Sequence, residues 1–201
     1  MDGLAHAESR PEAAEDIAVA TVLALAEEIG AKVQISHMAS PRALAYVKEA
    51  KGRGIDVTAE TCPHYMYLTD TALAEFGPYA KCNPPLRNSE TTSRIRELVC
   101  SGVVDMIGSD HAPYLQAEKA VGEANIWKAP AGFPGVEVML PLFLTDAIAG
   151  HLTLPKIVHL LSENVARIFK LEAKGGIMLG KDADLVIVDP TIEWTFDPQY
   201  A

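Results

Sequence analysis

The feature that most restricts this chain is an alternation repeated three times: a stretch with helical apolar spacing, a glycine, then a short β-branched run. Ser9-Arg10-Pro11-Glu12 fits a capping box, in which the serine oxygen and the glutamate three residues on satisfy free backbone N–H groups. It predicts a helix over residues 10–29 that stops at Gly30. "KVQISH" follows as a short strand ending at His37, and Ser40-Pro41 opens a second helix that glycine ends at 52–54. "IDVTAET" is a second strand. A looser, Pro-rich segment from Cys62 leads to a third helix over residues 90–101, which closes at Gly102 and delivers the strand "VVDMIG". Helix and strand in strict alternation imply an α/β fold whose strands are parallel and joined by right-handed crossovers. Three such strands cannot close a barrel, so the sheet is either small and open or part of something larger.

Beyond the third strand the pattern changes. The Gly/Pro-rich loop "KAPAGFPGVE" precedes a largely apolar helix, "VEVMLPLFLTDAIAG", and two shorter helical pieces, "LPKIVHLLS" and "ENVARIFKL". The tail, "GGIMLGKDADLVIVDPTIEWTF", has two short β runs among turn residues and reads as part of a small β appendage.

A formal net charge of -10 argues against a nucleic-acid groove or an anionic membrane as partner and favours a small molecule or another protein. Three cysteines without C-x-x-C spacing make neither a disulfide framework nor a thiolate zinc knot, so a reducing, cytoplasmic setting is expected. The acidic N-terminus does not read as a signal peptide, and no apolar run reaches the length of a membrane span.

Parallel α/β folds carry their chemistry at the carboxyl ends of strands. The polar residues that interrupt the apolar runs lie at such ends: His37 after the first strand, Glu60 through His64 at the second, Ser109-Asp110-His111 at the third. An imidazole and a carboxylate converging there could bind zinc, which takes nitrogen and oxygen ligands and lowers the pKa of a bound water toward neutrality. The plainer alternatives are that Asp110 caps the following loop and that His37 is merely hydrogen-bonded. His64 and His111 read as supporting or packing residues, His151 and His159 as exposed or core helix positions.

Six ordered motifs, "QISHMAS", "ETCPHYMYLT", "KCNPPLR", "GSDHAP", "AGFPGVEVMLPL" and "GKDADLVIVDP", make the chain resemble the cyclic amidohydrolases: dihydroorotases, allantoinases and dihydropyrimidinases (hydantoinases). The resemblance implies the C-terminal part of a TIM (β/α)8 barrel of the metal-dependent hydrolase type, here residues 1–170, and part of a β-sandwich appendage, 171–201. It also implies a binuclear centre, usually zinc, and hydrolysis of a C–N bond in a small cyclic amide or ureide. Matched motif by motif, His37 takes the sixth-strand ligand position, and Asp110 the eighth-strand ligand and the proton-transferring base. Main-chain groups at Asn83, Ala131 and Gly132 would contact the substrate ring. His6, in "HAES", resembles the fifth-strand ligand, but Ser9-Arg10-Pro11 also resembles the S-R-P that opens the helix before the sixth strand, and the two alignments stay open.

The chain departs from the family pattern in having no H-x-H pair and no lysine at a fourth-strand carbamate position. The expectation is therefore a carboxyl-terminal portion with little or no activity alone, and a homo-oligomer in complete form. Substrate choice is divided. Asn83-Pro84-Pro85 and Asp110-His111-Ala112-Pro113 lean toward dihydroorotase, Cys62-Pro63-His64-Tyr65 and Lys81-Cys82 toward allantoinase or hydantoinase, and Tyr114 stands where dihydroorotases often carry a histidine. The alternative reading is a non-catalytic dihydropyrimidinase-like scaffold, against which the presence of both His37 and Asp110 argues.

Overall fold

The computed structural model describes residues 3–197, which fall in two compact units, Met1–Gly135 and Val136–Ala201. In the first unit, α1 (Leu4–Glu8) and α2 (Glu12–Ile29) lead to β1 (Val33–Ile35), α3 (Pro41–Gly52) to β2 (Val57–Thr61), and α6 (Ser89–Cys100) to β3 (Met106–Ile107). Between β2 and α6 lie α4 (Pro63–Tyr67), α5 (Asp70–Phe76) and a 3-10 turn, Gly77–Ala80. The segment expected to be loose is thus largely helical. It folds around Ala39, Cys62, Tyr65, Leu73, Ala80, Cys82 and Leu86, all buried. After β3 come α7 (Gln116–Ala120) and a 3-10 turn, Ile126–Lys128.

The three strands form one parallel sheet in the order β1-β2-β3, as the alternation predicts. Val33 pairs with Val57 and Ile35 with Ala59; Glu60 pairs with Met106 and Thr61 with Ile107. That register sets the ends of β2 and β3 side by side. Val57, Thr58 and Ala59 are all buried, the signature of a parallel strand covered on both faces. Asp105 fixes the entry to β3: its Oδ2 accepts from the Ala59 N–H at 2.7 Å and from Lys51 Nζ at 2.5 Å, and Lys51 also donates to the Val103 carbonyl.

Local chemistry explains most helix boundaries. The Ser40 side chain accepts from the Ala43 N–H with Pro41 in the first turn, Asn88 accepts from the Thr91 N–H, and Gly30 ends α2 in the left-handed conformation with φ 66. Buried Asp16, Val19, Leu23 and Ala26 repeat at helical spacing along α2. The capping box at Ser9 does not form. Residues 4–8 are already helical, so the Ser9 hydroxyl turns back to donate to the His6 carbonyl, Pro11 takes the cap position of α2, and Glu12 accepts from the Thr91 hydroxyl at 2.8 Å.

The second unit contains α8 (Val136–Ile148), α9 (Leu154–Val158) and α10 (Asn164–Ile168), the last two joined by a π-helical turn, His159–Glu163. The two β runs expected in the tail are not strands: among the described residues 171–197 none is assigned. A strand exists through its ladder to a neighbour, and no described segment pairs with 177–179 or 185–188. Leu179 and Ile187 are accordingly exposed, and Lys174 gathers Asp182 and Asp184 into a surface loop. No helix is long and apolar enough to cross a membrane among the described residues.

Candidate functional site

The backbone marks two positions on the carboxyl edge of the sheet. His37 and Asp110 have φ 43 and φ 47, and Lys170 is the other non-glycine residue with positive φ among those described. A left-handed residue other than glycine costs on the order of 1 kcal/mol, with histidine and aspartate among the more tolerant types, and such strain gathers at functional sites. At His37 the turn is over-determined. The His37 N–H donates to Glu60 Oε1 at 3.3 Å, the Met38 N–H to the Glu60 carbonyl at 2.9 Å, and the Thr61 hydroxyl to the Met38 carbonyl at 2.7 Å. The Glu60 carboxylate in turn lies across the end of β3. A Cβ on Gly108 would sit 2.6 Å from its Cδ, so a larger residue there would push the carboxylate aside. Burial raises the Glu60 pKa and Asp110 adds to the rise, while the His37 N–H and imidazole pull it back.

At β3 the Asp110 carboxylate meets residues that close β2. Its Oδ2 is 4.0 Å from His64 Nε2, with the histidine side chain 8% exposed and the aspartate 34%. His64 Nε2 is buried and has no hydrogen-bond partner. Its ring stands edge-on to Tyr65, with centroids 4.2 Å apart, and to Phe133 at 5.3 Å. Burial, reinforced by the nearby His37, pushes its pKa down to about 4, so the imidazole is neutral at pH 7. Cys62, fully buried, is the third member: burial first, then the charges of Glu60 and Asp110, push its thiol far up. The ligand atoms of Cys62, His64 and Asp110 all lie within 4.8 Å of one another. A neutral buried imidazole nitrogen facing a carboxylate is a donor set whose chemistry suits a metal ion.

Of the residues expected from the sequence, Asp110 is therefore at the centre of the cluster and His37 at its edge, where it bonds to Glu60 and acts on both Glu60 and His64. His6 is elsewhere. Its ring is buried in α1, with Nε2 3.0 Å from the Cys82 carbonyl and Nδ1 3.2 Å from Arg10 Nη1, and both nitrogens are thus used within the chain. Burial first, then Arg10 and Lys81, lower its pKa against the opposing bond to Cys82.

Asn83 is exposed and precedes a cis bond to Pro84. Gly132 is buried at φ 132, where a Cβ would meet that of Ala112 at 2.4 Å, and Ala131 beside it is half-buried. The Gly132 N–H donates to the Lys81 carbonyl at 2.9 Å, and its carbonyl accepts from Lys119 Nζ at 2.6 Å. The loop also runs along the residues after Asp110: the Ala112 N–H donates to the Phe133 carbonyl and the Gly135 N–H to His111 Nδ1.

Sequence reasoning passed over Cys62 as a donor, took His64 only for support, and did not see the two buried lysines. Lys81 Nζ donates to the Ile126 and Ala129 carbonyls, while Lys119, below the ring of Phe133, donates to those of Lys81 and Gly132. Burial lowers the Lys119 pKa to about 8, with Lys81 adding to the fall and Cys82 opposing it. The available signal for Cys62 and His64 was Thr61-Cys62-Pro63-His64 itself, where a strand end meets a proline-opened helix.

Residues 4–201 match the sequence profile of the Amidohydrolase family. The chain is 41% identical over 188 residues to a dihydroorotase of Syntrophus aciditrophicus, covering 94% of this chain and 43% of that protein. It is 42% identical over 186 residues to an allantoinase of Rubrobacter xylanophilus, covering 92% and 40%. The fold superposes on an L-hydantoinase (dihydropyrimidinase) of Arthrobacter aurescens with a TM-score of 0.87 at 33% identity, over 90% of this chain and 41% of that one. The chain thus spans about two-fifths of the length of the relatives it matches.

Proposed function

We propose that this chain, which belongs to the amidohydrolase family, supplies the carboxyl-terminal part of a (β/α)8 barrel that hydrolyses a C–N bond in a small cyclic amide or ureide. The observation that carries the reading is the strand-end cluster: Asp110 in a left-handed turn, its carboxylate 4.0 Å from a buried imidazole nitrogen without a partner. Apolar side chains left on the surface support the partial barrel. Ile17, Leu25 and Ile29 on α2 are exposed, and a neighbouring helix of a complete barrel would cover them. The exposed tail from 171 would find strands to pair with in a complete β appendage. We place the boundary of that appendage near residue 171.

In this reading Asp110 and His37 are metal ligands, and zinc is the ion that suits their oxygen and nitrogen donors. A metal held there supplies an acidified water and polarises the carbonyl under attack. The chain's own residues do the rest. Asp110, the more exposed member of the cluster, accepts the proton of the attacking water and passes it to the leaving ring nitrogen. Glu60 braces the His37 turn through its N–H. The substrate ring rests on main-chain groups at Asn83 and Ala131; Gly132, with both polar groups engaged by Lys81 and Lys119, shapes the loop. His6 is not among the ligands in this scheme, because both its ring nitrogens are bonded.

The relatives and solved structure named above carry enzyme names, which favours the hydrolase over the non-catalytic scaffold. Dihydroorotase, allantoinase and hydantoinase names stand close together among them, so the substrate is proposed as the class. The test is hydrolysis of dihydroorotate, allantoin and hydantoin by a protein in which the chain is continued to the full length of its relatives. Activity against one of them should vanish with a chelator, return with zinc, and fall by about 10²-fold or more in Asp110→Asn. An Asp110→Asn enzyme as active as its parent would overturn the assignment. The 201-residue chain alone is expected to show little or no turnover.

A further inference from the structure

The main-chain groups assigned above to the substrate ring lie on two stretches far apart in sequence, at Asn83 and at Ala131. One runs into the cis bond to Pro84, the other is a Gly/Pro-rich loop, and neither residue belongs to a helix or strand. Groups carried on loops hold their geometry only as well as whatever braces them.

The brace is a pair of buried lysines. Lys81, two residues before Asn83, sends its Nζ to the carbonyls of Ile126 at 2.8 Å and Ala129 at 2.6 Å, where the second stretch begins. Lys119, on α7, sends its Nζ to the Gly132 carbonyl at 2.6 Å and to the Lys81 carbonyl at 3.2 Å. The Lys81 carbonyl also accepts from the Gly132 N–H at 2.9 Å, so one oxygen is shared by the loop and the ammonium.

We infer that Lys119 is a positioning residue: its ammonium locks the Asn83 and Ala131 stretches into one rigid surface for the substrate ring. The inference rests on the hydrolase reading and goes beyond it, because it assigns the accuracy of that surface to a side chain outside the strand-end cluster. With 4% of its surface exposed, Lys119 acts through the two carbonyls and not by touching the substrate.

The local chemistry calls for a cation. Carbonyl oxygens that converge on one point repel each other, and an ammonium with three donors satisfies more than one of them. Lysine is seldom buried without compensation, and the bonds to Lys81 and Gly132 supply it here. The pKa, lowered to about 8 chiefly by burial, leaves the group charged at pH 7. The Phe133 ring closes the space over it, with Nζ 5.2 Å from the centroid, and the same ring stands edge-on to His64.

Two measurements on Lys119→Met test this. In the 201-residue chain, NMR relaxation dispersion should appear at the amides of both Asn83 and Ala131, which are quiet in the parent. The amides of Met38 and Ala59, bonded to the Glu60 carbonyl and to Asp105, should stay quiet and report an intact sheet. In the protein continued to the full length of its relatives, KM should rise about tenfold or more with kcat within about threefold, as loss of uniform binding requires. Lys119→Gln, whose amide can donate to both carbonyls, should show both effects in smaller measure and keeps the test open if the methionine variant does not fold. Lys128→Met, at an exposed lysine of the same loop, should show neither. A fall in kcat at unchanged KM would make Lys119 a stabilising residue only and overturn the inference. Quiet amides at Asn83 and Ala131 in a folded variant would remove the brace and leave the hydrolase standing. A longer protein inactive on all three substrates would remove the hydrolase reading, and the positioning role with it.

Discussion

Two polar pockets in the first unit are built from similar materials and end in opposite conditions. One is the strand-edge cluster of Cys62, His64 and Asp110; the other holds His6, Lys81 and Lys119 against the carbonyls of Lys81, Cys82, Ile126, Ala129 and Gly132. Both bury an imidazole almost completely, and both depress its pKa chiefly by burial. In the second pocket each basic group meets backbone acceptors at 2.6–3.2 Å. In the first, His64 Nε2 has no partner. Burial therefore does not distinguish the two histidines; what differs is whether the bonding capacity of the ring is filled from within the chain.

The comparison breaks most readily at His6. His6→Ala would remove a fully buried ring and leave the Cys82 carbonyl without its donor, and is expected to cost about 3–5 kcal/mol, read as a shift in urea midpoint followed by Trp127 fluorescence. A cost below about 1 kcal/mol would show that the pocket is not filled in the sense argued here. The strand-edge pocket should answer to metal instead. Zinc at 100 times its dissociation constant should stabilise the chain by about 2.7 kcal/mol, an effect that His64→Gln removes. If zinc stabilises wild type and variant equally, the ion binds elsewhere.

Lys119 sharpens the other side. Lys119→Met would leave the Gly132 carbonyl unpaired, for an expected loss of about 1–3 kcal/mol at pH 7. Its pH dependence has a definite sign. The folded pKa is lowered to about 8 from 10.5, so between those values the unfolded chain binds more protons and stability rises with pH. Below about pH 8 both states are protonated and this contribution is flat. The difference in urea midpoint between wild type and Lys119→Met should therefore change between pH 8 and pH 10 in favour of the wild type, and a constant difference would contradict the depressed pKa.

What could be read in advance follows the range of the interaction. Ser40-Pro41 places the start of α3 correctly because a cap is made by neighbours in sequence. The same logic misreads Ser9, since the five-residue helix before it, too short to be stable alone, is held by packing of Leu4 and Ala7 on the buried cluster. His37 and Asp110 were legible as strand-end residues. Cys62 and His64 were placed at a strand end too, but their approach to Asp110 was not legible, because only the register of β2 against β3 brings them there. The burial of Lys81 and Lys119 had no sequence signal, because lysines are seldom buried and only the fold surrounds these two with carbonyls. The tail carries a continuous β-prone run, Leu-Val-Ile-Val at 185–188, but such a run specifies burial and not a partner.

The smallest predicted effect is the most diagnostic, because its sign reverses between the pockets. His64→Phe would replace a buried nitrogen without a partner by a carbon, among the aromatic rings of Tyr65 and Phe133 that already receive it edge-on. Replacing an unsatisfied polar atom by an apolar one of similar shape is near neutral or stabilising, so the metal-free variant should be as stable as wild type or gain up to about 1 kcal/mol at pH 7. The same change at His6 would strand the Cys82 carbonyl and should destabilise. Urea unfolding of the two variants in chelator, run side by side, separates the cases. Loss at His6 with none at His64 is what a residue kept for binding rather than stability should show, and an equal loss at both would make His64 a structural residue like its counterpart.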